Sequence, residues 1–242
     1  MPASSDELDE RALDLVLEVE EQLESNPLAA LDIAERAPPE SVVHPEVRLA
    51  RARALFAAKG AASARTPLEQ LVAEDPDFAE ARHVLALVLE ELGAHEAAVQ
   101  ELLAVRRLDE TSDRAEGFEL SAAEGPITAT AEQVLRALPE RFKKLVASVP
   151  ILVEERPSED LVREGLDPRS LGMFSGPTHS ERTSPDVVPA PTHIVLYAAN
   201  LAAFADPQDA EELRHEVEVT LLHEIGHYFD LDEADLEALG LG

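Results

Sequence analysis

His223-Glu224-Ile225-Gly226-His227 is the one stretch of this 242-residue chain whose residue types and spacing prescribe chemistry. Residues four apart on an α-helix stand one turn above each other on the same face, so imidazoles at 223 and 227 can reach one ion. Zn²⁺ takes histidine nitrogens at about 2.0–2.1 Å, within that reach. A glutamate directly after the first histidine projects beside such an ion without joining its ligands. From there it can hold a water and take its proton. Gly226 lets a neighbouring segment pack close to the helix. The plainer alternative is two surface histidines at a helix end, where the dipole favours cations. The context weighs against it. Leu213, Val217, Leu221 and Ile225 form an apolar stripe on another face and leave the histidine pair turned toward a site.

A zinc centre of this kind needs a third protein ligand and keeps a fourth position for water. The chain has no Cys, so only histidines or carboxylates can supply it. Fifteen residues follow His227, too few for a glutamate on a separate helix twenty or more residues downstream. The ligand is therefore expected nearby, among Asp230, Asp232, Glu233 and Asp235. In the extended pattern H-E-x-x-H-x-x-G-x-x-(H/D) the last ligand stands six residues after the second histidine, which is Glu233. Glu233 ranks first and Asp232 second; His179 and His193 are remoter, and His215 lies two turns too far along the axis. Asp230 takes the place of the pattern's glycine. That glycine ends the helix in the left-handed conformation, which Asp tolerates better than most residues.

These side chains need elements to position them. Asp206 as N-cap and Pro207 at the first helical position open a helix that runs to about Phe229. Ile151–Val153 and His193–Tyr197, rich in Val and Ile, read as short strands, with another at Leu171–Phe174 inside the Pro/Gly/Ser-rich stretch Arg156–Pro191. A peptide is expected along the edge of the 193–197 strand. Thr130-Ala-Glu-Gln133 reads as a capping box opening a helix to about Val146.

The first half is different in texture. Ala79–Leu92 and His95–Leu108 read as paired amphipathic helices with Gly93 as the stop between them, and Asp75-Pro76 and Asp109-Glu110 stand 34 residues apart. A 34-residue period with a helix–turn–helix in each unit is the mark of tetratricopeptide repeats. Leu85, Ala86, Leu89, Gly93, Ala98, Leu102 and Val105 occupy that pattern's positions, while Arg82 replaces its early aromatic. Units over Glu46–Pro76 and Leu8–Arg36 are weaker. In the former, Thr66 as N-cap and Pro67 at the first position predict a helix that starts late. His83 and His95 read as packing residues. Thr111–Pro126 reads as a linker.

Composition narrows the partners. Fifty acidic residues against 20 basic ones give a net charge of −30, which excludes nucleic acid and disfavours anionic membranes. No apolar run reaches the roughly 18 residues of a membrane span, and the acidic opening residues do not read as a secretory leader. A cytoplasmic protein is expected.

The C-terminal half resembles the small zincin-like metallopeptidases of bacteria. The residues that carry the likeness are Val149–Glu154, Leu171-Gly-Met-Phe-Ser-Gly176, His193–Tyr197, Thr220–Phe229 and Leu231–Gly240. The resemblance covers roughly Thr130–Gly242 and implies a small sheet beside the active-site helix, with a carboxylate as third ligand. Asp230 departs from the family's glycine.

The expected architecture is thus an all-α, tetratricopeptide-like module over 1–112, a linker over 113–129 and a minimal α+β zincin-like domain over 130–242. The expected function is zinc-dependent hydrolysis of peptides or proteins. His223, His227 and Glu233 (or Asp232) would be the ligands and Glu224 the general base, with the repeats recruiting substrate or a protein partner. Tyr228 and Tyr197 are candidate oxyanion donors, with a structural role the stronger reading for each. The rival is an inactive zincin-like scaffold that acts through its repeats.

Overall fold

A computed structural model describes residues 5–38, 41, 43–182, 191–205, 210–232 and 235. The chain divides into two compact units, Met1–Thr111 and Ser112–Gly242. The first holds α1 (Ser5–Leu23), α2 (Pro27–Glu35), α3 (Pro45–Lys59), α4 (Ala61–Glu74), α5 (Ala79–Glu91) and most of α6 (His95–Glu116), within which the division falls. From α1 to α5 each helix packs on the next. Two apolar clusters fill the stack, one around Val19, Leu31 and Ala50, the other around Leu68, Leu71, Leu85 and Val88. α5 ends where glycine was expected to stop it. Gly93 takes φ 73°, Ala94 N donates to Leu89 O at 2.8 Å, and Gly93 N donates to Glu90 O at 2.9 Å. Arg82, in place of an aromatic, pairs with Glu101 at 2.5 Å.

Three local expectations fail in this half. α4 does not start at Thr66; it begins directly after Gly60 and carries Pro67 inside it. An interior proline costs about 3 kcal/mol. Here the carbonyl it leaves without a donor, that of Ser63, belongs to an exposed residue and can bind water. The same helix buries Leu68 and Leu71, each contributing about 1.5–3 kcal/mol. His95 is not a packing residue: its ring is exposed and paired with Glu90 at 2.7 Å. The presumed linker is largely helical. α6 continues to Glu116, and α7 (Leu120–Ala137) opens four residues later with Pro126 inside it. Again the orphaned carbonyl, that of Ala122, is on an exposed residue, and Ile127 is buried.

The second unit continues with α8 (Glu140–Val146), β1 (Ile151–Glu154), α9 (Glu159–Arg163), β2 (Gly172–Ser175), α10 (His179–Arg182), β3 (His193–Tyr197), α11 (Ala198–Phe204) and α12 (Ala210–Tyr228). Thr130 is a buried mid-helix residue of α7, not a cap. The helix expected to reach Val146 breaks at Leu138, which is extended (ψ 148°) because it precedes Pro139. The expected cap of the last helix, Asp206 and Pro207, lies outside the described residues.

The sheet has the order β1-β3-β2, with β1 parallel and β2 antiparallel to β3. β3 is therefore the central strand, paired on both sides, and has no edge to offer a peptide. One apolar cluster joins Ile194 and Leu196 of β3, Ile127, Ala131 and Val134 of α7, and Val217, Leu221 and Ile225 of α12. The unit is a small α+β assembly with α12 laid on one face of the sheet. Among the described residues, no helix is long and apolar enough to cross a membrane.

Candidate metal and catalytic centre

α12 carries the whole H-E-x-x-H sequence in its last two turns, and the helical spacing acts as expected. His223 Nε2 and His227 Nε2 lie 2.9 Å apart, with the rings edge to face at 4.6 Å between centroids. Two nitrogens held by one tetrahedral zinc stand about 3.3 Å apart, so a small opening of the pair accommodates the ion. Without a metal, the same approach is a hydrogen bond that needs one ring to donate and the other to accept. The donor chemistry fits zinc. Both histidines are half-buried, which leaves the pair accessible from one side.

Glu224 follows His223 directly and stands three residues before His227. It is buried, 7% exposed, and lies against β2. A Cβ placed on Gly172 would meet Thr220 Cγ2 at 2.8 Å and Glu224 Cγ and Oε1 at 3.1 and 3.2 Å. The base candidate thus rests on bare strand backbone. The chain entering β2 is itself pinned: Asn200 Nδ2 donates to Pro168 O at 2.9 Å and Ser170 O at 2.6 Å. Arg156, 8% exposed, donates to Asn200 Oδ1 and forks onto Asp113 at 2.5 and 2.8 Å. Sequence reading missed Gly172 and Asn200. A glycine inside a strand pattern was the available signal for the former.

The turn after α12 is tightly specified. Leu231 N donates to Gly226 O at 3.1 Å and Asp230 N to His227 O at 3.0 Å. Asp230 takes φ 63°, the only positive φ on a non-glycine among the described residues. This is the left-handed helix end that the motif's glycine would make. Asp230 Oδ2 accepts from Ser180 N at 3.4 Å. The hydroxyl of Thr178 above all, joined by the Ser180 contacts and the His179 ring, holds its carboxyl below the ordinary value against the opposing effect of burial. His179 also packs on Tyr228 and Phe229, at 5.7 and 5.8 Å between centroids.

The third-ligand candidates separate unevenly. Asp232 is engaged as a cap: its Oδ1 accepts from Asp235 N at 2.9 Å, and its own N–H faces Asp235 Oδ2 at 3.4 Å. Glu233 lies outside the described residues. Among the described residues, no three His, Asp or Glu side chains converge as a metal site. His193 is on β3 opposite Ser175, and His215 is exposed on α12. A 350 Å³ cavity lined by His215, Arg214, Glu211 and Gln133 belongs to the other end of α12.

Neither tyrosine is offered to a substrate. Tyr228 is 2% exposed, and its hydroxyl lies 3.4 Å from Leu145 O, to which it donates, and 3.4 Å from His179 Nδ1. Tyr197 is fully buried, and its hydroxyl has no partner among the described residues. Burial first, then the charges of Glu154 and Glu224, push its pKa up to about 12. By register, Gly172 and Leu196 share the face toward α12, so neighbouring Tyr197 belongs to the opposite face.

The C-terminal unit thus lays a short mixed sheet on a helix that carries two half-buried histidines and a buried glutamate. Residues 146–242 match the model of the zincin-like metallopeptidase family. The match begins at the end of α8, so α7, which supplies part of the same core, lies outside it. No match to a curated protein is found.

Proposed function

We propose that this chain is a zinc-dependent peptidase whose C-terminal unit hydrolyses peptide bonds. The observation that carries this reading is the 2.9 Å convergence of His223 and His227, on a helix whose buried Glu224 lies against β2. His223 and His227 would hold the ion. Glu233 would complete the set, since it has the extended motif's spacing and Asp232 is occupied as a cap. Zinc bound there supplies a Lewis acid beside the scissile carbonyl and makes water more acidic. Glu224 takes a proton from the attacking water as its oxygen bonds to the carbonyl carbon. It then gives that proton to the amide nitrogen as the carbon–nitrogen bond breaks.

Among the described residues β2 is an outer strand of the sheet and lies beside this base. Tyr197 N donates to Leu171 O at 2.9 Å, so Leu171, Met173 and Ser175 turn their backbone groups toward β3. Gly172 and Phe174 then turn theirs outward. A peptide adding there as a further strand would pass beside Glu224, because Gly172 does. The N-terminal helical stack would recruit a substrate or a protein partner.

Glu224→Gln tests the reading. It keeps the side chain's shape and removes the base, so peptide cleavage should fall about 10²–10⁴-fold while zinc content and Tm hold. A zinc-loaded wild type that cleaves nothing across a broad peptide library would defeat it.

A further inference from the structure

Gly172 is not among the glycines with positive φ, so its backbone conformation does not require glycine. The space does. The missing side chain would occupy the volume filled by Thr220 Cγ2 and by the Cγ and Oε1 of Glu224. We infer that Gly172 is a positioning residue for Glu224: its bare face fixes where the carboxylate sits, and that placement, more than the stability of the sheet, is what its lack of a side chain serves.

The two neighbours would yield unequally to a methyl group. Thr220 is buried, 7% exposed, and its χ1 is restricted by branching at Cβ on a helix. β2 is held from behind by its pairing with β3 and by the Asn200 bonds to Pro168 O and Ser170 O. Glu224 is the unbranched chain, with three rotatable bonds, and its carboxylate is the end that can swing. A Cβ at 172 therefore displaces the carboxylate before it displaces the strand. The three atoms nearest a Cβ at 172 belong to Thr220 and Glu224, not to His223 or His227, whose convergence should therefore hold. This inference rests on Glu224 as the base in the reading above, but the displacement itself is a geometric statement that does not.

The test uses the full chain, zinc-loaded, as Gly172→Ala, Thr220→Ser and Gly172→Ala/Thr220→Ser. Each is measured for zinc stoichiometry, Tm, kcat and KM on one cleaved peptide, and crystal structure. Gly172→Ala should keep one zinc per chain and lower kcat by about 10²-fold, the scale of a 1 Å misplacement, with KM little changed. The double variant removes Cγ2 and with it the 2.8 Å contact, so Tm should return toward wild type while kcat stays low. If Gly172→Ala fails to fold, the double variant carries the measurement. Recovery of kcat together with Tm would show a merely structural glycine and overturn the inference. So would a crystal structure of the Gly172→Ala protein in which the added methyl is accommodated and the Glu224 carboxylate is unmoved. A displaced carboxylate in a protein whose wild type cleaves no peptide would uphold the positioning of Glu224 and defeat the peptidase reading alone.

Discussion

Among the described residues four helices end on the same backbone pattern, three on a glycine (Gly93, Gly117 and Gly165) and one on an aspartate (Asp230); α5 and α12, one in each unit, make the contrast. α5 stops at Gly93 and α12 at Asp230. In both, the residue after the left-handed position donates back five residues, and the left-handed residue itself donates back three. Gly93 has φ 73°, and nothing lies within 4 Å of where its Cβ would be. It makes the turn by conformational freedom alone and leads into the next helix. Asp230 has φ 63° and a side chain that finds Thr178 and Ser180 on a segment remote in sequence. One end is a stop built from a local property. The other is a stop tied to Thr178 and Ser180, directly after the two histidines. The same turn serves as spacing in a scaffold and as a fixed exit from a candidate metal centre.

The largest expected effect falls on the second helix alone. His223→Ala and His227→Ala should each abolish stoichiometric zinc, read by elemental analysis of dialysed protein. His83→Ala and His95→Ala, on and beside α5, should leave it unchanged. Zinc loss from an α5 variant would break the contrast between the two ends.

Gly93→Ala comes next. An L-residue in the left-handed region costs roughly 1–2 kcal/mol. Chemical denaturation should show a loss of about that size with zinc content intact. A neutral result would mean the turn after α5 is not held to its conformation by the stack.

Asp230→Gly should have the smallest effect and the most informative sign. Glycine relieves the strain and removes the carboxylate's bonds, terms that oppose each other and leave less than about 1 kcal/mol near neutral pH. The carboxyl's pKa in the folded protein is below its ordinary value of 3.8. Its contribution is therefore present above that value and is lost as pH falls through the folded pKa. Unfolding of the metal-free proteins should show Asp230→Gly gaining on the wild type below about pH 4. A difference independent of pH would mean that the bonds to Thr178 and Ser180 contribute nothing.

What could be read from the sequence follows the same division. Gly93, the helix pairs around it and the spacing of His223 and His227 are local properties, set within one or two turns of chain. The prolines misled, because Pro67 and Pro126 are tolerated by burial of Leu68 and Ile127 against other helices and by exposed residues at the orphaned carbonyls. The pairing of Asp230 with Ser180 spans 50 residues. Gly172 meets Glu224 across a comparable distance in sequence, and β3 sits in the middle of the sheet because β2 inserts on its far side. No periodicity encodes such meetings; they appear only once the sheet order is known.

The sheet order carries a hazard as well as a use. Among the described residues β1 and β2 are the outer strands of the sheet, and an outer edge open to a peptide would also be open to the same edge of another molecule. Each outer strand is only four residues long. β2 is followed at once by Gly176, whose φ of 106° turns the chain out of the strand direction, and a Cβ there would strike Pro191 O. The edge is thus cut to a length that two outward residues can use. On the peptidase reading a flexible peptide would pair with those two residues beside Glu224, whereas two sheets meeting edge to edge would share few hydrogen bonds; a short edge strand is one of the ways proteins limit such pairing.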